Sequence, residues 1–458
     1  MKDTESPGGT PITLVSADSH VGLPPKEYKK YFEAEHHAAV DAYVDDHRFY
    51  HAAFRKLGYP FSTTELEVAD TRGAISAGGI VGFFDPVRRL EIVQEEGVVA
   101  EVLHPAGPIS AAPFCDQGTR RVPDELRAAG TRAYNRFLEE FCSTDRRRLL
   151  GVALTYPYPD MEAAAWTVRW ARDAGMAAVF PARFAGAAGD LPPLHDRSWD
   201  PFWAALHDTG LPVHIHAGHG APQGRFIEMV EQLLDRCEET GSDAEFADLF
   251  DGPPVERRPL WQLMWGGVFD RFPNLRVVFT EIRGDWVPAT LTYLDLRYEQ
   301  TGRPMRLSPS EYWRRHCAIG ASFMRRSDLA ARNAIGADRV MFGTDYPHTE
   351  GTWPNTMDYL RLVLDDVDES EARRILGLNA IETYGLDRTY LDSLAVGLGP
   401  RPHDLLGRAG DVDRRLVDFF AHFNGLHKTG NEALDFVAAS LDEDLATIGA
   451  ARPVLSAS

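Results

Sequence analysis

The chain has 458 residues, 44% hydrophobic and 25% charged, and its 48 Lys and Arg against 68 Asp and Glu leave a net charge of −20. This is the composition of an ordinary soluble globular protein, and its acidic balance repels nucleic acid and anionic membranes unless a local basic patch intervenes. The densest basic run, Arg146–Arg148, reads as the solvated end of a helix, and no stretch approaches the ~18 apolar residues of a membrane span, so neither partner is expected.

The chain opens on a polar stretch, MKDTESPGGTP, without the apolar core of a signal peptide. Its four cysteines, Cys115, Cys142, Cys237 and Cys317, lie far apart and form no CxxC pair. Both features point to a cytoplasmic protein with reduced thiols. Short apolar or β-branched runs then alternate with amphipathic helical stretches. The strands expected are Ile12–His20, Val98–Pro105, Leu149–Pro157, Met176–Arg183, Leu211–Gly218, Leu275–Glu281, Cys317–Ser322 and Arg339–Asp345. Eight such units over residues 12–386 predict an α/β fold of the TIM (β/α)8 barrel type. Two connections, 21–96 and 219–262, are too long for simple loops and are expected to lie over the active-site face as insertions. From residue 387 to 458 the βα rhythm stops and a helical extension is predicted.

Chemistry-bearing side chains sit where these strands end. Alternation places Asp18 and His20 on one face of the first strand, and His214 and His216 on one face of the fifth. The sixth strand ends in Glu281 and the eighth in Asp345, followed closely by His348 and Glu350. Asp345 alone is ordinary turn chemistry. Repetition of imidazole and carboxylate at strand end after strand end instead predicts a metal site on the barrel rim. His104 and Arg183, ending the second and fourth strands, face the same rim. Arg183 suits either a clamp on a substrate carboxylate or a structural ion pair. With His214, these two are the candidate substrate contacts. Glu101 and Glu350 are read as supporting or structural groups, and Ser322 lacks the context of a nucleophile.

The segments SADSHV, PVHIHAG, FTEIRGDWVP, GTDYPHTEGTWP and ILGLNAIETYGL resemble the amidohydrolase-related branch of the amidohydrolase superfamily, over residues 12–386. The resemblance implies a TIM barrel bearing a metal-dependent hydrolase or non-oxidative decarboxylase, a few members being described as dinuclear-iron hydroxylases. It also implies that Asp18, His20, His216 and Asp345 bind metal, with His214 beside them. Two departures stand out. Asp18 replaces the His of most hydrolases and the Glu of several decarboxylases, and Glu281 replaces a usual His. Strand 4 offers no Lys for a carboxylated bridge, so a second metal would need Glu281.

The full ligand expectation is therefore Asp18, His20, His216, His219, Glu281, Asp345 and His348, with Glu281 and His348 as catalytic groups. Seven candidates exceed the three protein ligands that catalytic zinc uses, and mixed His and carboxylate ligation suits non-haem iron or manganese. The leading expectation is O2-dependent hydroxylation at two Fe ions, or an Fe/Mn pair. The alternative is a hydrolase of C–N or ester bonds or a non-oxidative decarboxylase using Zn or Mn, and the last is a catalytically silent partner subunit. A small-molecule substrate bearing a carboxylate or thioester, and a homodimer, complete the reading.

Overall fold

The computed structural model describes residues 9–56, 63–105, 112–115, 120–183, 185, 191–241, 253–302, 305–322, 324–348, 350–423 and 431–450. The first residues of the opening polar stretch, parts of both long insertions, the last eight residues and the side chain of Ser322 lie outside that set. Eight parallel strands run in sequence order: β1 (Leu14–Val21), β2 (Val98–Pro105), β3 (Leu149–Leu154), β4 (Ala178–Phe180), β5 (Val213–His216), β6 (Val277–Thr280), β7 (Cys317–Ser322) and β8 (Val340–Gly343). Their Val, Ile, Leu and Phe side chains are almost entirely buried, as near-continuous apolar runs must be when helices cover a parallel sheet.

Closure of the barrel depends on the residues that carry the chemistry. Asp345 N donates to Asp18 O at 2.9 Å, and His20 N donates to Tyr346 O at 2.7 Å. Thr344 N donates to Ser16 Oγ at 2.9 Å. The β1–β2 register advances from Ser16↔Glu101 to Ser19↔Leu103, one residue more on β1 than on β2. This bulge at Ala17–Asp18 turns the strand beside the site, a common use of the device. Gly343 is required there, since a Cβ on it would lie 2.8 Å from Asp18 Cβ.

Behind the rim, Arg89 is wholly buried and donates from Nε to Glu101 at 2.7 Å and from Nη1 to His20 O at 2.6 Å. Ser19 Oγ also donates to Glu101, at 2.8 Å. Glu101 is thus a saturated carboxylate that holds β1 in place. The run Arg146–Arg148 departs from expectation. The preceding helix ends at Cys142, and Arg148 is buried, donating from Nε to Val99 O at 2.7 Å. A lone backbone carbonyl at the start of β2 draws it inward, which composition does not reveal. Within 21–96, the turn Gly79–Phe83 reaches the rim, where Tyr346 Oη donates to Gly79 O at 2.5 Å.

After the barrel come helices Arg388–Leu398, Pro402–Leu405, Arg414–Phe423 and Asn431–Ala450. The last of these sends Asp444 into the helix Pro259–Trp265 and its neighbour Arg258, where it accepts from Arg258, Trp261 and Gln262. Among the described residues no helix is long and apolar enough to cross a membrane.

Candidate metal centre

Strand ends deliver the cluster: Asp18 and His20 from β1, His216 from β5, Glu281 just after β6 and Asp345 two residues past β8. Glu281 and Asp345 leave the ladder at φ +57° and +56°, a left-handed conformation uncommon for residues with a side chain. Such conformations cost roughly 1–3 kcal/mol each and persist where the surroundings over-determine them. Here the backbone is pinned on both sides, Glu281 N donating to Gly320 O at 3.1 Å and Asp345 N to Asp18 O at 2.9 Å.

The hydrogen-bond partners fix the tautomers. A carbonyl can only accept, so His20 Nδ1, 2.8 Å from Pro105 O, carries the proton. Neutral His20 therefore turns the lone pair of Nε2 to the centre. That lone pair meets Asp345 Oδ1 at 2.9 Å and Asp18 Oδ1 at 3.5 Å. His216 repeats the pattern more loosely, with Nδ1 3.4 Å from Ala217 O and Nε2 3.1 Å from Glu281 Oε2 and 3.7 Å from Asp18 Oδ1. His20 Nε2, His216 Nε2, His348 Nε2 and Asp345 Oδ2 are buried without a hydrogen bond. The lone pairs of His20 and His216 facing carboxylate oxygens at these distances repel them unless a proton or a metal ion lies between. The donor set therefore fits a divalent ion, and imidazole with carboxylate suits manganese, iron or zinc.

Charge tells the same story. Burial, then Asp345, Asp18 and Glu350, push the Glu281 carboxyl well above the ordinary range. Burial raises Asp345 too; at Asp18 burial also opposes the charge, but His104 beside it outweighs that and holds the carboxyl well below its ordinary value. Burial lowers His216 to about 4 and holds His20 well below its ordinary value, leaving both in the neutral form that ligates. His348 goes the other way: burial opposes its charge, but Asp345 and Glu350 hold it at about 9. Its Nδ1 lies 3.0 Å from Asp345 Oδ1, and its ring stacks on His20 with centroids 3.9 Å apart.

The ligand atoms fall into three overlapping groups, each within 4.8 Å: Asp18, His20, His216 and Glu281; His20, Asp345 and His348; and Glu281, Asp345, His348 and Glu350. Glu350, read from sequence as a supporting group, thus stands among the possible ligands. The close spacing of Asp345, His348 and Glu350 was the signal for it. His219 does not join these groups. Gly218 and Gly220, both at positive φ, carry the chain away, and buried His219 lies instead beside Arg183, whose charge adds to burial in lowering it to about 3. Glu281 does not pair with Arg283, which binds Asp285.

The three residues expected at substrate divide. His104 and His214 are wholly buried inside the barrel, with His104 Nδ1 2.8 Å from Asp18 Oδ1 and His104 Nε2 2.9 Å from His214 Nδ1. Arg183 is only partly buried, its guanidinium 5.4 Å from the Phe180 ring centroid, and it borders a small pocket with Arg127, Thr131, Thr155 and Tyr156. Its charge opposes the rise of Glu281, and no carboxylate among the described residues pairs with it.

Known proteins share this framework. A relative from Rhizobium sp. (strain MTP-10005), named gamma-resorcylate decarboxylase, is 23% identical over 316 residues, 64% of this chain and 86% of its own. An amidohydrolase structure from Mycobacterium avium subsp. paratuberculosis K-10 superposes with a TM-score of 0.59 at 20% identity, covering 82% of this chain and all of the other. A 5-carboxyvanillate decarboxylase from Novosphingobium aromaticivorans, complexed with manganese and 4-hydroxy-3-methoxy-5-nitrobenzoic acid, gives a TM-score of 0.54 at 18% identity over 81% and 96% of the two chains. These likenesses show the barrel. The family model described as amidohydrolase matches residues 105–386, more than half of the sequence, and on that match the chain belongs to the amidohydrolase family.

Proposed function

We propose that the chain is a divalent-metal-dependent, non-oxidative decarboxylase of a small aromatic or otherwise conjugated carboxylic acid, with Asp18, His20, His216 and Asp345 as ligands of the ion. The observation that carries this is the lone pair of His20 Nε2 set 2.9 Å from Asp345 Oδ1, in a cluster whose Glu281 feels the charge of Arg183. The relatives named as decarboxylases, one of them holding manganese, support the reaction class and favour manganese over the iron expected from ligand count.

A divalent ion held there supplies positive charge that polarises the substrate's oxygens. The chain's own residues do the rest. Arg183 draws an anion into an otherwise acidic site and orients it. The buried walls keep water from the reacting carbon. His348, anchored through Nδ1 to Asp345, holds a proton at Nε2. The bond from substrate carbon to its carboxyl group breaks with the electron pair left on that carbon. The Nε2 proton fills the vacancy and CO2 leaves.

A second reading has one observation in its favour. The overlapping ligand groups include Glu281, Asp345, His348 and Glu350, enough for two ions, which would suit O2-dependent hydroxylation at iron. One experiment separates the two: elemental analysis of the purified protein, then anaerobic assay of the manganese form with a panel of hydroxybenzoates. One ion per chain with CO2 released and no O2 needed is the expected result. Two irons with O2 uptake would transfer the assignment to the second reading, and a chain that releases no CO2 from any member of the panel would sink the first.

A further inference from the structure

The interior of a (β/α)8 barrel is ordinarily filled by layers of aliphatic side chains, yet this one carries a string of polar groups below the metal centre. Asp18 Oδ1 meets His104 Nδ1 at 2.8 Å, off the axis of an ideal hydrogen bond. His104 Nε2 lies 2.9 Å from His214 Nδ1, and His214 Nε2 lies 3.1 Å from Tyr384 Oη. Thr280 Oγ1 flanks the string, 3.1 Å from His214 Nδ1. Tyr384 ends the helix Asn379–Tyr384. Nearby, Arg276 Nη1 donates to Thr383 O at 2.7 Å at the entry to β6, so Tyr384 approaches the interior from the end of the barrel opposite the rim.

Neutral imidazole has one donor and one acceptor, so the string can run in a single direction. A bare lone pair on His104 Nδ1 would repel the Asp18 carboxylate at 2.8 Å, so Nδ1 carries the proton, although the two atoms are not aligned as a hydrogen bond. His104 Nε2 is then an acceptor, and His214 Nδ1 must donate to it. That leaves His214 Nε2 as an acceptor and requires the Tyr384 hydroxyl to donate. The two hydrogen bonds, Tyr384 to His214 and His214 to His104, both run toward the Asp18 end, and no step buries a charge beyond the carboxylate itself. The phenol at the foot of the barrel thus specifies both tautomers above it.

We infer that Tyr384, acting through His214 and His104, is a positioning residue for the metal centre: it fixes which oxygen and which orientation Asp18 presents to the ion. The inference rests on Asp18 being a ligand and not on the decarboxylase assignment. Outer partners of this kind alter metal affinity by roughly 10–100-fold, and an interior polar plug that only holds the barrel together would lower stability without that effect.

The test is a Mn2+ titration of the full chain followed by the electron paramagnetic resonance signal of the free ion, beside thermal unfolding of the metal-free protein. Tyr384→Phe removes one hydroxyl and is expected to weaken Mn2+ binding about 10-fold or more and to change the spectrum of the bound ion. The melting temperature should stay near that of the parent. Two substitutions at His214 keep the question open to refutation if that variant folds poorly. His214→Gln retains a donor and an acceptor and should hold affinity within about three-fold, whereas His214→Leu should lose as much as Tyr384→Phe or more. Equal affinity in the parent, Tyr384→Phe and His214→Leu overturns the inference. A parent that binds no Mn2+ overturns the ion site with it, and a parent that binds Mn2+ but releases no CO2 defeats only the decarboxylase reading.

Discussion

Two buried carboxylate clusters in this molecule look alike by burial and differ in how their acceptors are met. Asp444, in the last helix, accepts from Arg258 Nε at 2.9 Å, Arg258 Nη2 at 3.0 Å, and Trp261 Nε1 and Gln262 Nε2 at 3.1 Å each. Its oxygens are fully engaged by donors, one of them cationic. At the rim, carboxylates instead face imidazole lone pairs and one another. A saturated cluster stabilises the fold as it stands. A cluster short of positive charge carries a cost that protonation or a bound cation must relieve, and that deficit makes the rim the candidate site.

Neutralising one member of each cluster is the sharpest way to break this contrast. Asp345→Asn should weaken Mn2+ binding by more than about 100-fold, beyond the loss typical of outer partners, while the melting temperature of the metal-free protein changes little, because relief of like charge with Asp18 and Glu281 offsets the lost pairing with His348. A large fall in that melting temperature would show that the rim cluster is structural after all. Asp444→Ala should do the reverse. Removing one partner of a buried pair costs about 3–5 kcal/mol, read in urea unfolding and in faster protease cleavage within the helix Asn431–Ala450, with Mn2+ affinity unchanged.

Metal removal adds a smaller, linked effect. Mn2+ at a hundred times its dissociation constant should add about 2.7 kcal/mol to unfolding stability, abolished by a chelator. The increment should persist in Asp444→Ala and vanish in Asp345→Asn at the same ion concentration. The smallest effect expected is at the surface, where Glu33 is another well-met carboxylate. Burial disfavours its charge, but Arg136 and Arg132 outweigh that and lower it from 4.5 to about 2. A depressed carboxylate stabilises the folded state above its unfolded value and loses that contribution as pH falls from 4.5 toward 2. For a group this exposed the gain is under about 1 kcal/mol. Glu33→Gln should therefore be slightly less stable than the parent at pH 7 and indistinguishable near pH 2. A difference that grew on acidification would contradict the assignment.

Much of the architecture was legible in the chain. All eight strands lie where apolar runs were found, since a strand buried on both faces must be apolar throughout. Most expected strands nevertheless ran too far toward the rim. Glu281 and Asp345 were read as strand ends, whereas both sit past the ladder at positive φ. Glu281 and Asp345 are released from regular pairing, and side-chain periodicity cannot register that release. His219 shows the same blindness, because a two-glycine turn moved it from the ligands to Arg183. The rings of His104 and His214 were expected at substrate because inward alternation does not say how deep in the barrel a side chain sits.

Residue type and spacing alone determined the fold class and pointed to the rim and to the imidazole–carboxylate character of the candidate cluster, since these are local properties of strands and their ends. Only the tertiary structure decided which lone pairs converge, that Glu350 joins them while His219 does not, and that Tyr384 lies beneath them. Convergence depends on register across β1 and β8, on a bulge at Asp18 and on the absence of a side chain at Gly343. Those are relations between segments far apart in the chain, and no local pattern encodes them.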